Sequence, residues 1–139
     1  MIDMASILRS PAAQEIFRRH RLEAVYLFGS YADGRADAAS DVDLAVLFPP
    51  EGRPIDRFDK TVALDQELKP LVGKPLEIVP LNDANPLLAF EAVIRGKTVY
   101  ARDEDECILY ELRLRHHYEE FCHIQDFFTQ AMKEKLGIA

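Results

Sequence analysis

Asp41 and Asp43, with one residue between them, open an apolar run over residues 44–48. On an extended strand, residues two apart share a face, so this spacing sets two carboxylates side by side. Neighbouring carboxylates repel, and a hard cation is the usual compensation. Mg²⁺ is typically held by one or two carboxylates together with the phosphates of a substrate. Upstream, the pair Gly29-Ser30 ends another apolar run, residues 24–28. A strand feeding a glycine turn and then a helix start forms an anion cradle: freed backbone N–H groups point outward, and glycine lets the backbone come close. A third carboxylate, Glu77, interrupts the apolar run 76–81, on a strand able to lie beside that of Asp41 and Asp43. A phosphate cradle and three carboxylates fit two-metal phosphoryl or nucleotidyl transfer. In such chemistry most of the catalysis is positioning and charge stabilisation.

The elements that must position these groups can be read in turn. Ser10-Pro11 is an N-cap followed by proline at the first helical position, and a helix follows over residues 12–20, burying Ile16 and Phe17. Residues 22–28 are largely apolar, and 42–48 are apolar but for Asp43, as buried central strands are. A short helix over 31–35 ends at Gly34, and 36–40 is a loop. The breaker-rich stretch 49–54 precedes an amphipathic helix over 56–72, with Val62, Leu64, Leu68, Leu71 and Val72 as its apolar positions and Gly73 as its C-cap. Pro80 favours the end of the Glu77 strand. A helix over 86–95 offers Leu87, Leu88, Phe90, Val93 and Ile94 to the core, and residues 98–100 form an edge strand. Asp103 caps a long last helix, and Glu104, Asp105 and Glu106 suit its first turn. Its apolar stripe includes Ile108, Leu109, Leu112, Tyr118, Phe121, Cys122, Ile124 and Phe128, more than a small sheet can cover, so part of it is expected to meet another protein.

The chain has 139 residues and a formal net charge of -7. Its length suits a single domain, with a core over about residues 10–101 and a C-terminal helical segment over about 103–135. The acidic balance argues against direct nucleic-acid binding, which needs clustered Lys and Arg. Two cysteines are too few for a disulfide framework and fit a reducing compartment. No apolar run approaches a membrane span, so a cytoplasmic protein with no membrane contact is expected. Zinc is disfavoured because Cys122 and His123 fall on different helix faces and no CxxC occurs.

Gly29-Ser30, ten residues, then Asp41-Val42-Asp43 resembles the signature of the DNA polymerase β-like nucleotidyltransferases. The fuller pattern, Gly-Ser-x-Ala-x-Gly followed by Ser-Asp-x-Asp-Leu, resembles the minimal nucleotidyltransferases, the MNT antitoxins. The strand around Glu77, the 81–88 run and the 96–100 ending look like the same family. The resemblance implies an α+β (mixed α/β) fold: a small mixed sheet flanked by helices, with a long C-terminal helix. It implies a cognate HEPN-domain ribonuclease toxin as partner, neutralised when AMP is moved from ATP onto a toxin tyrosine. Carried over, Gly29, Ser30 and Ser40 bind the nucleotide, Asp41, Asp43 and Glu77 are catalytic, and the same three hold Mg²⁺. The family usually has Asp where this chain has Glu77, and often Arg where it has Asp33, with Arg35 two positions on. An antitoxin that neutralises by binding, without turnover, is the alternative. A small-molecule nucleotidyltransferase, acting for example on an aminoglycoside, ranks last because the chain is short for a further substrate domain.

Overall fold

A computed structural model describes residues 3–137. Its centre is a four-stranded mixed sheet of β1 (Ala24–Phe28), β2 (Val42–Leu47), β3 (Leu76–Pro80) and β4 (Lys97–Ala101), in the order β3-β2-β1-β4. β1 pairs antiparallel with both β2 and β4, and β2 pairs parallel with β3. The two largely apolar runs are the central strands and the Glu77 strand is an edge. Helices α1 (Met4–Leu8), α2 (Pro11–Arg19), α3 (Ser30–Asp33), α4 (Pro54–Val72), α5 (Pro86–Ile94) and α6 (Glu104–Leu136) surround the sheet.

Strand alternation divides the core between the two faces. Val25, Leu27, Val42, Leu44 and Val46 pack with Leu8, Phe17, Leu64 and Leu68 from α1, α2 and α4. Ala24, Tyr26 and Ala45 face Ala89, Ala92 and Val93 of α5 and Cys107 and Leu114 of α6. Burial on both faces explains why β1 and β2 read as continuous apolar runs. Tyr26 is buried with its hydroxyl 2.9 Å from the Cys107 thiol, which fastens α6 to the sheet.

The helix ends are set by local chemistry. Ser10 accepts from the Ala13 N–H at 3.3 Å, Asn85 from Leu88 at 2.8 Å, and Asp103 from both Asp105 and Glu106. Gly73 closes α4 in the left-handed conformation. The first helical turn, α1, is capped by Asp3 and was not anticipated as a separate element. α4 starts two residues earlier than its periodicity indicated, because Pro54 occupies the first turn and Asp56 bonds back to the Arg53 N–H. Pro70 is accommodated inside α4, which runs on to Val72.

Three expected core positions are exposed: Val62, Leu87 and Leu88. On α4 the buried row is Arg57, Thr61, Leu64, Leu68 and Val72. Arg57 takes an inward position because Asp83, in the 3-10 turn Leu81–Asp83, meets its guanidinium with two bonds of 2.8 and 2.7 Å. On α5 the small residues Ala89 and Ala92 face the sheet, which brings the helix close and turns the larger leucines outward.

Candidate active site

β1 delivers Gly29 to the carboxylates. Phe28 is paired with Asp43 across the antiparallel β1–β2 ladder, so the residue after Phe28 turns over the Asp43 side chain. A Cβ at Gly29 would lie 2.3 Å from the Asp43 Oδ2, and the backbone there has φ 75° and ψ -152°. That conformation is essentially restricted to glycine. Glycine is therefore required twice over, by the close approach and by the dihedrals. Ser30 begins α3, whose first N–H groups have no partner within the helix. The Gly29 carbonyl accepts from Ala32 and Asp33, both at 3.1 Å, and Gly34 closes the turn in the left-handed region.

The parallel β2–β3 ladder supplies the second contact. Asp43 and Glu77 are register partners, so their side chains project from the same face of the sheet. Burial pushes the Asp43 carboxyl up to about 6; a hydrogen bond from its protonated form to Glu77 and the charges of Glu77 and Asp41 act in the same direction. Asp41 sits one residue outside β2 and is exposed, as is Glu77, whereas Asp43 is half-buried. The expected pair on one strand is thus one residue in the strand and one at its threshold. Val42 donates to the Pro75 carbonyl at 2.9 Å, and that bond fixes the threshold against the start of β3.

The loop before Asp41 is held by its own side chains. The Ser40 hydroxyl accepts from the Asp37 N–H at 2.9 Å and lies 3.2 Å from the Asp37 carboxylate. Ser40 thus shapes the approach to Asp41. Lys74 donates to the Ala38 carbonyl at 3.1 Å and ties the same loop to β3. Asp33 is paired with Arg35 at 2.6 Å on the exposed side of α3, so its charge is compensated locally. Gly96, just past the end of α5, does more than end a helix. A Cβ there would be 2.1 Å from the Ala92 carbonyl and 2.7 Å from the Leu27 carbonyl, so backbone packs on backbone just before the Gly29 turn. Nothing in a single sequence distinguishes that role from ordinary capping.

Among the described residues, no group of three His, Cys, Asp or Glu side chains is placed to hold a metal ion. The donors at the carboxylate cluster still suit a hard cation. They are oxygen-only, they repel one another, and a partial protein shell is the usual arrangement where substrate phosphates complete the coordination of Mg²⁺.

Residues 12–105 match the family model described as Polymerase beta, Nucleotidyltransferase. The chain belongs to this nucleotidyltransferase family. It is 31% identical over 86 residues to the protein adenylyltransferase MntA of Shewanella oneidensis, a match covering 62% of this chain and 59% of that relative's length. A protein of Methanocaldococcus jannaschii, named as a candidate protein adenylyltransferase, is 33% identical over 73 residues, covering 52% of this chain and 74% of its own. Among solved structures, a toxin–antitoxin complex crystallised with AMP-PNP contains a chain that superposes with a TM-score of 0.66 at 26% identity, over 85% of this chain and 94% of that one. The mixed sheet, the flanking helices and the long α6 are those of the polymerase β-like nucleotidyltransferase fold.

Proposed function

We propose that this chain is the antitoxin of a toxin–antitoxin pair and a protein adenylyltransferase, moving AMP from ATP to a tyrosine hydroxyl of a cognate HEPN-domain toxin. One observation carries the reading. Gly29 is pressed against Asp43, and Asp43 is in register with Glu77, so a phosphate turn and two carboxylates meet on one face. The relatives support the reaction class: one is named a protein adenylyltransferase, and the AMP-PNP complex pairs a similar chain with a toxin. The chain would act as one minimal domain, its nucleotidyltransferase core over about residues 10–101 followed by the α6 segment.

Each group has a task in this reaction. The backbone N–H groups at Gly29 and Ser30 orient the triphosphate. Asp41 and Asp43, with Glu77 beside them, are the oxygen donors for Mg²⁺, which when bound would offset charge on the departing pyrophosphate. The acceptor hydroxyl oxygen bonds to the α-phosphorus. The bond from that phosphorus to the α–β bridging oxygen breaks, and pyrophosphate leaves. The hydroxyl proton passes to Glu77, an exposed carboxylate held next to the raised Asp43. The longer reach of Glu relative to Asp lets it extend from an edge strand. Ser40 supports the site through the Asp37 turn. Acting on ATP and an RNase toxin, the protein would work in the cytoplasm. The net charge of -7 argues against direct nucleic-acid contact.

Incubation of the chain with its toxin and Mg-ATP, followed by intact-mass measurement of the toxin, tests the proposal. Neutralised toxin with no added adenylyl mass would reject it. The separation of Asp41 from β2 and the exposure of Glu77 favour a second reading, an antitoxin that neutralises by binding. Asp41→Ala with Asp43→Ala separates the two. Neutralisation that survives both changes assigns binding alone.

A further inference from the structure

Lys74 stands where two arms of the carboxylate cluster meet. It lies just before β3, the strand of Glu77, and is half-buried. Its ammonium donates to the Ala38 carbonyl at 3.1 Å, 36 residues away along the chain. The next residue makes a second tie, because the Pro75 carbonyl accepts from the Val42 N–H at 2.9 Å. Lys74 and Pro75 thus grip the chain on both sides of Asp41. Between the grips the chain is stiff. The Asp37 carboxylate accepts from the Ala39 N–H at 2.8 Å, the Asp37 N–H donates to the Ser40 hydroxyl at 2.9 Å, and the Ser40 N–H donates to the Asp37 carbonyl at 3.2 Å. A turn closed on itself in this way moves as one piece, so a tie at Ala38 is felt at Asp41. Asp41 is exposed and lies outside β2, so these bonds, rather than core packing, set where its carboxylate stands.

We infer that Lys74 is a positioning residue for the divalent cation, holding the 37–40 turn against the start of β3 so that Asp41 and Glu77 act on one ion. The inference rests on the reading of Asp41, Asp43 and Glu77 as the metal donors. It adds that the Asp41 and Glu77 arms are fastened to each other through Lys74 before any metal binds. Removing a group that orients a metal ligand costs about 10–100-fold in metal affinity, and an exposed bond such as this one belongs at the lower end. A tether and a bare charge predict opposite signs. An ammonium beside the site repels a divalent cation, so deleting a mere charge tightens metal binding. Deleting a tether weakens it.

The test uses the full chain without toxin and Mn²⁺ alone as the probe, the free ion being counted by electron paramagnetic resonance. Lys74→Met keeps the apolar stem and removes the donor. It should bind Mn²⁺ about tenfold more weakly than wild type, with a metal-free Tm changed by no more than about 2 °C. Lys74→Arg can still donate to Ala38 and should restore most of the affinity. Because Lys74 acts through Asp41, the double variant Asp41→Ala with Lys74→Met should bind no more weakly than Asp41→Ala alone. A Lys74→Met chain that binds Mn²⁺ as tightly as wild type, or more tightly, overturns the inference. So do additive losses in the double variant, or a Lys74→Arg chain as weak as Lys74→Met. If transfer falls at saturating Mg²⁺ while Mn²⁺ affinity is unchanged, Lys74 serves the nucleotide and the positioning role is rejected. A wild type that binds no Mn²⁺ removes the carboxylate site and the inference with it. The Mn²⁺ readouts need no AMP transfer, so they decide the role of Lys74 whether or not the adenylyltransferase reading holds.

Discussion

Replacing Gly29 by alanine is the smallest change that strikes the site's geometry. Two penalties can be read from the structure. The new Cβ would be placed 2.3 Å from the Asp43 Oδ2, 3.2 Å from the Asp43 Cγ and 3.4 Å from its Cβ, so the carboxylate must swing away. The backbone at φ 75°, ψ -152° lies in a region alanine avoids, at about 1–3 kcal/mol. For a domain of this size that corresponds to a fall in Tm of roughly 3–12 °C. The carboxylate relieves the collision by rotating away from the Gly29 turn, so nucleotidyl transfer should fall a hundredfold or more even where the protein is fully folded. The assay is a thermal melt paired with transfer of labelled AMP to the toxin at a temperature well below the variant's Tm. A Gly29→Ala variant with unchanged Tm and near-normal transfer would refute the claim that this glycine seats the turn on Asp43.

Three further outcomes follow from the same geometry. Asp43→Asn should abolish transfer yet, in metal-free buffer at pH 7.5, raise stability by about 1–2 kcal/mol, because a carboxyl pushed up to about 6 by burial and its acidic neighbours is charged at a cost there; a lowered Tm contradicts this. Gly96→Ala should lower the Tm by several degrees and slow transfer, since its Cβ would meet the Ala92 and Leu27 carbonyls at 2.1 and 2.7 Å; unaltered melting would show that the α5–β1 approach is slack. Asp83 is held below its ordinary 3.8 by the hydrogen bonds and charge of Arg57, against the opposing effect of burial. A depressed carboxylate stabilises above its unfolded value and loses that contribution as pH falls through the folded one. Asp83→Asn should therefore be less stable than wild type at neutral pH, with the gap closing below pH 3.8; parallel curves of Tm against pH would disprove the linkage.

The legible parts of this fold were those governed by local rules. Ser10-Pro11, Asp103 and Gly73 terminate helices as their chemistry requires. The unbroken apolar runs around Tyr26 and Leu44 became the central strands because both sheet faces are covered. The neighbouring of the Glu77 and Asp43 strands was anticipated, and their pairing proved residue for residue. What the sequence hid was decided by partners distant along the chain. Arg57 turns inward because Asp83 is there to meet it, and the buried row of α4 then runs through Arg57 and Thr61, leaving Val62 outside. Leu87 and Leu88 turn outward because Ala89 and Ala92 make the closer fit to the sheet. At the site, Gly29's spacing to the aspartates was readable, but its contact with Asp43 and the tethering of the 36–40 loop by Lys74 and Ser40 arise only once β1, β2 and β3 align.

The most direct measurement is the intact mass of the cognate toxin after incubation with this chain and Mg-ATP, compared across wild type and Glu77→Gln. The account predicts that wild type adds one or more whole adenylyl groups to a toxin tyrosine, and that Glu77→Gln binds toxin equally but transfers at least tenfold more slowly. Toxin that is silenced at its original mass, or a Glu77→Gln chain that transfers at the wild-type rate, would contradict it.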